Sequence, residues 1–270
     1  MSAWEESYAL VRAVSLFAVL GLGLALERWR AHARLRPAWS ANLGLFAVGS
    51  LVTGLVCGGC GWVVAEWVSA RGIGALTWAG SPGWRGAGLG VIALDAVSYG
   101  WHRANHSIPL LWRFHSVHHA DTSFHVTTAL RFHPGELLLA LPVRLAAIAL
   151  LGVPAAGVLL FELIFGAANL LEHGNFDLPA RVDARVQRIV VTPSLHRAHH
   201  VAEWRLLDTN FGTVFSLWDR LGGSFRSSSP EHQVATGLPG YQPTAALSLA
   251  QSLWLPFAAD RTRARRDASA

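Results

Sequence analysis

The chain contains no lysine: all 22 basic side chains among its 270 residues are arginine. Charge of either sign is scarce, at 14% against the roughly 25% usual in a soluble domain, while 52% of residues are hydrophobic. This shortage argues against a soluble globular enzyme, and more strongly against disorder, which needs low hydrophobicity and high charge. Cysteine occurs twice, at Cys57 and Cys60, which is too little for a disulfide framework. The C-G-G-C spacing resembles a redox motif. It lies inside a long apolar stretch, however, so the two thiols are read as small packing residues. A net charge of +5 invites a nucleic-acid reading. Apolar blocks separate the arginine groups, which fits arginine at membrane edges and no nucleic-acid partner. There is no internal repeat and no low-complexity segment.

What the sequence has in quantity is apolar blocks and histidine. A helical crossing of the hydrocarbon takes about 20 residues. The first block covers residues 8–26. Glu5 and Glu6 stand where a cleaved signal would be basic, so it is read as a retained span. The second block, 43–68, is glycine-rich. The third, 86–101, is short and contains Asp95, and a carboxylate inside a span points to function. The fourth, 137–171, is interrupted by Pro142, Arg144, Gly152 and Pro154 and is read as a hairpin of two short helices; a pair of buried core helices is the alternative. Residues 245–258 are read as interfacial, and 260–270 as an arginine-rich tail in solvent or against head groups. Arg28, Arg30, Arg34 and Arg36 place the first loop in the cytoplasm. The N-terminus is then outside, and every histidine cluster falls on the cytoplasmic face.

The clusters share a spacing. His102 and His106 form H-R-A-N-H; His115, His118 and His119 form H-S-V-H-H; His196, His199 and His200 form H-R-A-H-H. Separations of three and four put imidazoles on one helix face. His173 stands alone in E-H-G-N. Nine clustered imidazoles would repel if charged and would need partners if buried, and metal ions supply the partner. One zinc takes about four ligands, so nine histidines suit two ions with four or five each. Imidazole suits iron, copper, zinc and nickel, and spacing does not choose among them. There is no H-E-x-x-H and no cysteine ligand nearby. Asp95, Glu136, Glu172, Asp208 and Asp219 are candidates to orient ligand imidazoles through the second ring nitrogen.

The run D-A-V-S-Y-G-W-H-R-A-N-H-S-I-P-L-L-W-R-F-H-S-V-H-H resembles the fatty acid hydroxylase/sterol desaturase superfamily. So do R-F-H-P-G-E at 131–136, E-H-G-N at 172–175, T-P-S-L-H-R-A-H-H at 192–200 and N-F-G-T-V-F-S-L-W-D-R-L-G-G at 210–223. The resemblance covers about 88–223. It implies an all-α integral membrane bundle of about four spans or half-spans under a cytosolic, histidine-rich helical cap. It implies two iron ions, with zinc as a substitute, held by His102, His106, His115, His118, His119, His173, His196, His199 and His200. Asp95, Tyr99, His125, His133, Glu136, Asn169, Asn175 and Asp219 are placed around these ligands. Asp95 and Tyr99, one turn apart, are expected to support His102, and Asp219 to tie the cap together. Two departures stand out. Asn169 occupies the position four before His173 where some members have histidine, and His125 lies where Asn or Asp is expected.

Such enzymes use O2 and two electrons to hydroxylate or desaturate a lipid: an acyl chain, a sterol-like molecule or an isoprenoid. H-P-G-E is similar to a cytochrome b5 haem loop, but no small haem domain surrounds it. A separate donor is therefore expected: cytochrome b5-like, or a ferredoxin or rubredoxin with its reductase. The domain reading is leading spans at 1–87, a catalytic unit at 88–223 and a tail at 224–270. A bacterial inner membrane is the expected location. Two other classes remain open from the residues. A metal-dependent hydrolase at the membrane surface would share the histidines and need no O2. A non-enzymatic metal protein, such as a transporter, would place its ligands near the bilayer midplane.

Overall fold

Backbone groups inside hydrocarbon must be satisfied within their own segment, so apolar blocks of this length fold as helices. The computed structural model describes residues 3–35, 37–81, 83–227, 235–241 and 246–258; residue 245 and the expected tail at 260–270 lie outside the described residues. The helices are α1 (Ala3–Arg30), α2 (Trp39–Cys57), α3 (Cys60–Arg71), α4 (Ala75–Trp78), α5 (Gly83–Ser107), α6 (Pro109–His119), α7 (Pro134–Leu151), α8 (Ala155–Glu172), α9 (Ala180–Val186), α10 (Pro193–His199), α11 (Trp204–Leu207), α12 (Leu217–Leu221) and α13 (Leu249–Trp254). A 3₁₀ turn, Val126–Leu130, precedes α7. Among the described residues, extended pairing is limited to isolated bridges.

Among the described residues, four segments are long and apolar enough to cross a membrane: Ser7–Arg30, Trp39–Trp78, Pro134–Leu151 and Ala155–Glu172. The fourth apolar block is the expected hairpin. Gly152 at φ 68° closes α7, with the Val153 and Gly152 amides donating back to Ile148 and Ala149. That is a glycine stop with paired terminal hydrogen bonds. Pro154 then opens α8. Gly152 is also a point of close approach, since a Cβ on Gly74 would lie 2.2 Å from its Cα.

The second block is one crossing built from two helices. Gly58 (φ −60°, ψ 115°) and Gly59 (φ 78°, ψ 3°) form a type II turn between α2 and α3. Gly49 on α2 faces Leu137, and Gly61 on α3 faces Ile148, so both helices follow α7 in the same direction. The turn brings the Cys57 and Cys60 α-carbons to 5.3 Å, and the two are joined as a disulfide. This corrects their reading as small packing residues. That α-carbon separation lies within the range a disulfide spans.

The third block is longer than its apolar stretch. Helix α5 has 25 residues, is not among the segments apolar enough to cross, and packs most extensively on α8. Its Asp95 is buried against protein rather than lipid. The cap assembles at one end of the bundle. Buried Arg131 joins three parts of it, donating to the Val117 carbonyl, Asn42 Oδ1 and Ser252 Oγ at 2.8–2.9 Å. Helix α13 thereby docks beside α2, with Trp254 and Phe257 exposed.

Candidate metal centre

Four helix ends deliver the histidines. His102 and His106 come from the last turns of α5, His115, His118 and His119 from α6, and His196 and His199 from α10, with His200 at its C-cap. Pro109 and Pro193 occupy the first turns of α6 and α10, where a missing N–H costs nothing. Thr192 caps α10 through the Leu195 amide. His173 caps the C-terminus of α8.

The nine imidazoles fall into two groups. His102, His106, His115, His119 and His199 offer ring nitrogens within 4.8 Å of one another, and so do His118, His173, His196 and His200. The partition crosses the sequence clusters. On α6, His115 and His119 share a face, while His118 turns to the other group. On α10, His199 leaves its neighbours in the same way.

Hydrogen bonds fix several ring orientations. His102 Nδ1 donates to the Phe211 carbonyl at 2.8 Å, and His199 Nδ1 donates to the Thr209 carbonyl at 2.6 Å. A carbonyl only accepts, so in the neutral rings both protons sit on Nδ1. The two Nε2 lone pairs then face each other at 3.1 Å. A cation between them relieves that repulsion, so the donor set fits a metal. The second group repeats the pattern. His173 Nδ1 donates to the Asn169 carbonyl at 2.6 Å, and its bare Nε2 lies 3.0 Å from the Nε2 atoms of His118 and His196. His115 Nδ1 donates to Glu136 at 2.8 Å, and Asn105 donates to the same oxygen. Glu172 lies 3.8 Å from His196 and 4.0 Å from His173, and Asp208 lies 3.7 Å from His106.

Other expected residues stand elsewhere. Asp95 does not touch His102: it accepts from the Val214 and Phe215 amides and the Trp218 indole. Tyr99 hydrogen-bonds Ser224. Asp95, Tyr99 and His102 lie at i, i+4 and i+7 on one face of α5, and all three meet the segment that carries the Phe211 carbonyl, so the first two support His102 through that segment rather than by contact. Asp219 accepts from the Phe211 and Gly212 amides and from Ser224 Oγ, which ties this segment into a loop. His125 belongs to neither group; its Nε2 pairs with Glu27 at 2.7 Å. His133 caps α7 by accepting from the Gly135 amide and reaches the Leu253 carbonyl. The Asn169 side chain donates to Ala129, and Asn175 holds both backbone groups of Ala33. The carbonyls of Thr209 and Phe211 are absent from a reading of side chains. Their only trace in sequence is Asn210, which takes a left-handed φ of 54° and turns the chain there. Phe132, stacked on His118 at 4.5 Å, also carries no motif signature.

A cavity of about 220 Å³ runs from this centre between α5, α7 and α8. His102, His115, His118, His173 and His196 line one end, and Val143, Arg144, Phe161 and Phe165 the other.

Burial, with neighbouring imidazoles adding, holds His118, His119, His196 and His200 well below the usual imidazole range. Burial likewise lowers His173 and His199 to about 3. These rings are neutral, which is the form that binds metal. Unfolding returns them to about 6.5, so between pH 6.5 and 3 the unfolded chain binds more protons. Stability of the metal-free protein is therefore complete above pH 6.5 and falls below it, by about 1.4 kcal/mol per pH unit for each such ring. Thermal unfolding in detergent with a chelator present checks this; a melting temperature unchanged from pH 7 to 4.5 would contradict it.

The fatty acid hydroxylase family model matches residues 87–224, half of the chain. Ornithine lipid hydroxylase OlsE of Rhizobium tropici is 30% identical over 152 residues, which are 56% of this chain and 45% of that protein. Alkylglycerol monooxygenase of Danio rerio is 28% identical over 188 residues, 67% of this chain and 39% of the relative. Cholesterol 25-hydroxylase of Rattus norvegicus is 23% identical over 158 residues, 54% and 49% of the two chains. The chain thus spans less than half the length of each of these relatives. No solved structure matches it. The matched region begins on α5, takes in both histidine groups and the Asp219 loop, and ends at Ser224; by this match the chain belongs to the fatty acid hydroxylase family.

Proposed function

We propose that the protein is a membrane-bound, O2-dependent oxidoreductase that hydroxylates or desaturates a lipid with two iron ions. The observation that carries this reading is the position of two imidazole groups, five and four, at the end of an apolar cavity between bundle helices. The relatives' names, an ornithine lipid hydroxylase, an alkylglycerol monooxygenase and a cholesterol 25-hydroxylase, support the same class. Residues 88–223 form the catalytic unit, 1–87 the leading spans and 224–270 the tail. The arginines in the last turn of α1 lie at the histidine end, which supports a cytoplasmic cap. A separate donor supplies electrons from that side.

His102, His106, His115, His119 and His199 would hold one iron, and His118, His173, His196 and His200 the other. Bound and reduced, the pair supplies activation of O2 toward an unactivated C–H bond. The chain supplies everything around that chemistry. Leu94, Val97, Phe161 and Phe165 line the slot, exclude water and hold an acyl or ring skeleton in line with the histidines. Glu136 fixes the His115 ring, and the Thr209 and Phe211 carbonyls fix His199 and His102. Such partners raise ligand basicity and set ring orientation.

The test is metal content and oxygen uptake on one detergent preparation. Two irons per chain, with lipid-stimulated O2 consumption lost in His118→Ala, is the expected result. Product mass then separates hydroxylation from desaturation. Two zincs, with no O2 uptake after iron reconstitution, would move the assignment to a hydrolase.

A further inference from the structure

Helices α1, α7 and α8 bring together an ionic cluster around a nearly buried carboxylate at the cavity end remote from the histidines. Glu162 on α8 accepts from Arg144 Nη2 of α7 at 2.9 Å and from Arg12 Nε of α1 at 2.9 Å. The Tyr8 hydroxyl donates to the same carboxylate. The carboxylate is 10% exposed, whereas the Arg144 side chain is 39% exposed and lines the cavity. Among the described residues, the two guanidinium groups of this cluster share one carboxylate. The Arg144 guanidinium lies over the Phe161 ring, 5.5 Å from its centroid, and among the described residues its Nε and Nη1 have no hydrogen-bond acceptor. All three charged helices are apolar enough to cross the membrane, and the cluster lies seven residues before the end of α7 and seven after the start of α8. That is about 10 Å inside the bundle, at 1.5 Å per residue. An ionisable group at such depth is costly without a role, and a structural staple would need only one arginine per carboxylate.

We propose that Arg144, held by Glu162 and backed by Arg12, binds an anionic oxygen group, carboxylate or phosphate, on the lipid that occupies the cavity. This rests on the reading of the cavity as the lipid slot. Arg144 stands eight residues beyond Glu136 on α7, and Glu136 holds His115. The anion would therefore be fixed about 12 Å from the histidines along the helix axis. The amphiphile lies with its charged end deep and its oxidised carbon set by distance from that end. Neutral sterols and neutral ether lipids lack the partner this site offers.

The experiment is equilibrium binding to metal-free protein in neutral detergent, which separates it from any failure of the oxygenase chemistry. The probes are radiolabelled palmitate, hexadecyl phosphate and hexadecanol. The wild-type chain is expected to bind at least one of the two anions roughly tenfold or more tighter than the alcohol, as a charge-assisted hydrogen bond requires. Palmitate favoured over the phosphate identifies a carboxylate ligand; the reverse identifies a phosphate. Arg144→Gln should remove the preference, and Arg144→Lys should restore part of it. Equal binding of all three probes by the wild-type chain overturns the proposal without reference to any variant. So does a preference that survives in Arg144→Gln. Val143→Trp, which fills the cavity, should weaken anions and alcohol alike; undiminished anion binding would place the anion site outside the cavity.

Discussion

His118→Ala/His200→Ala is expected to keep one metal ion per chain and to lower O2 uptake by at least ~10²-fold. The two residues belong to the group of four, so His173 and His196 alone remain there, while the group of five is untouched. Two imidazoles are short of the three protein ligands a catalytic site ordinarily keeps. Loss of an orienting partner alone costs 10- to 100-fold in metal affinity or activity at such sites, so loss of two ligands costs at least the upper figure. Metal analysis after a chelator wash reads the outcome. If both ions leave, or both remain, the division into five and four is wrong. His133→Ala is the contrasting variant. It removes the histidine of R-F-H-P-G-E, but that ring caps α7 and reaches Leu253. It should lose about 1 kcal/mol of stability and retain both ions.

Asp219→Ala is expected to loosen a metal group it never touches. Its carboxylate accepts from Phe211 N at 2.7 Å, Gly212 N at 2.8 Å and Ser224 Oγ at 2.8 Å. Those bonds shape the loop whose Phe211 carbonyl holds His102 and whose Thr209 carbonyl holds His199. Without the carboxylate, two buried amides lose their acceptor, at a cost of about 2–6 kcal/mol. His102 and His199 also lose the contacts that fix their protons on Nδ1. Metal affinity of the group of five should fall 10- to 100-fold while the group of four is retained. Chelator titration beside thermal unfolding separates the two effects. A uniform loss from both groups would make Asp219 a matter of folding alone. Asp95→Asn probes the same loop from α5, through Val214, Phe215 and Trp218, and should show a smaller loss in the same group.

Much of this was legible in the chain. Hydrocarbon leaves helix as the economical state for an apolar run, so the α1 and α2–α3 crossings and the α7–α8 hairpin followed from composition and from the breaks at Gly152 and Pro154. Histidines three and four apart on a helix converge, so a metal-binding arrangement was readable before any coordinate. The limits were equally physical. Asp95 and Tyr99 share the helix face of His102, but what lies over that face is the 210–224 segment, and only the fold brings that segment there. Backbone carbonyls leave no letter in a sequence, so the partners of His102, His173 and His199 were invisible. His133 and His125 carried motif positions without joining the centre, because each is spent on capping a turn and on a partner across the cap.

The sequence by itself determined the helical class, the membrane setting and the nine imidazoles, because each depends on local periodicity and composition. The tertiary structure alone decided how those imidazoles divide, with adjacent His118 and His119, and His199 and His200, sent to different groups. It also decided which carbonyls hold their protons, and that Arg144 and Glu162 meet at the far end of the cavity. These depend on how α1, α5, α6, α7, α8 and α10 pack together, and contacts between distant segments are set by the whole fold.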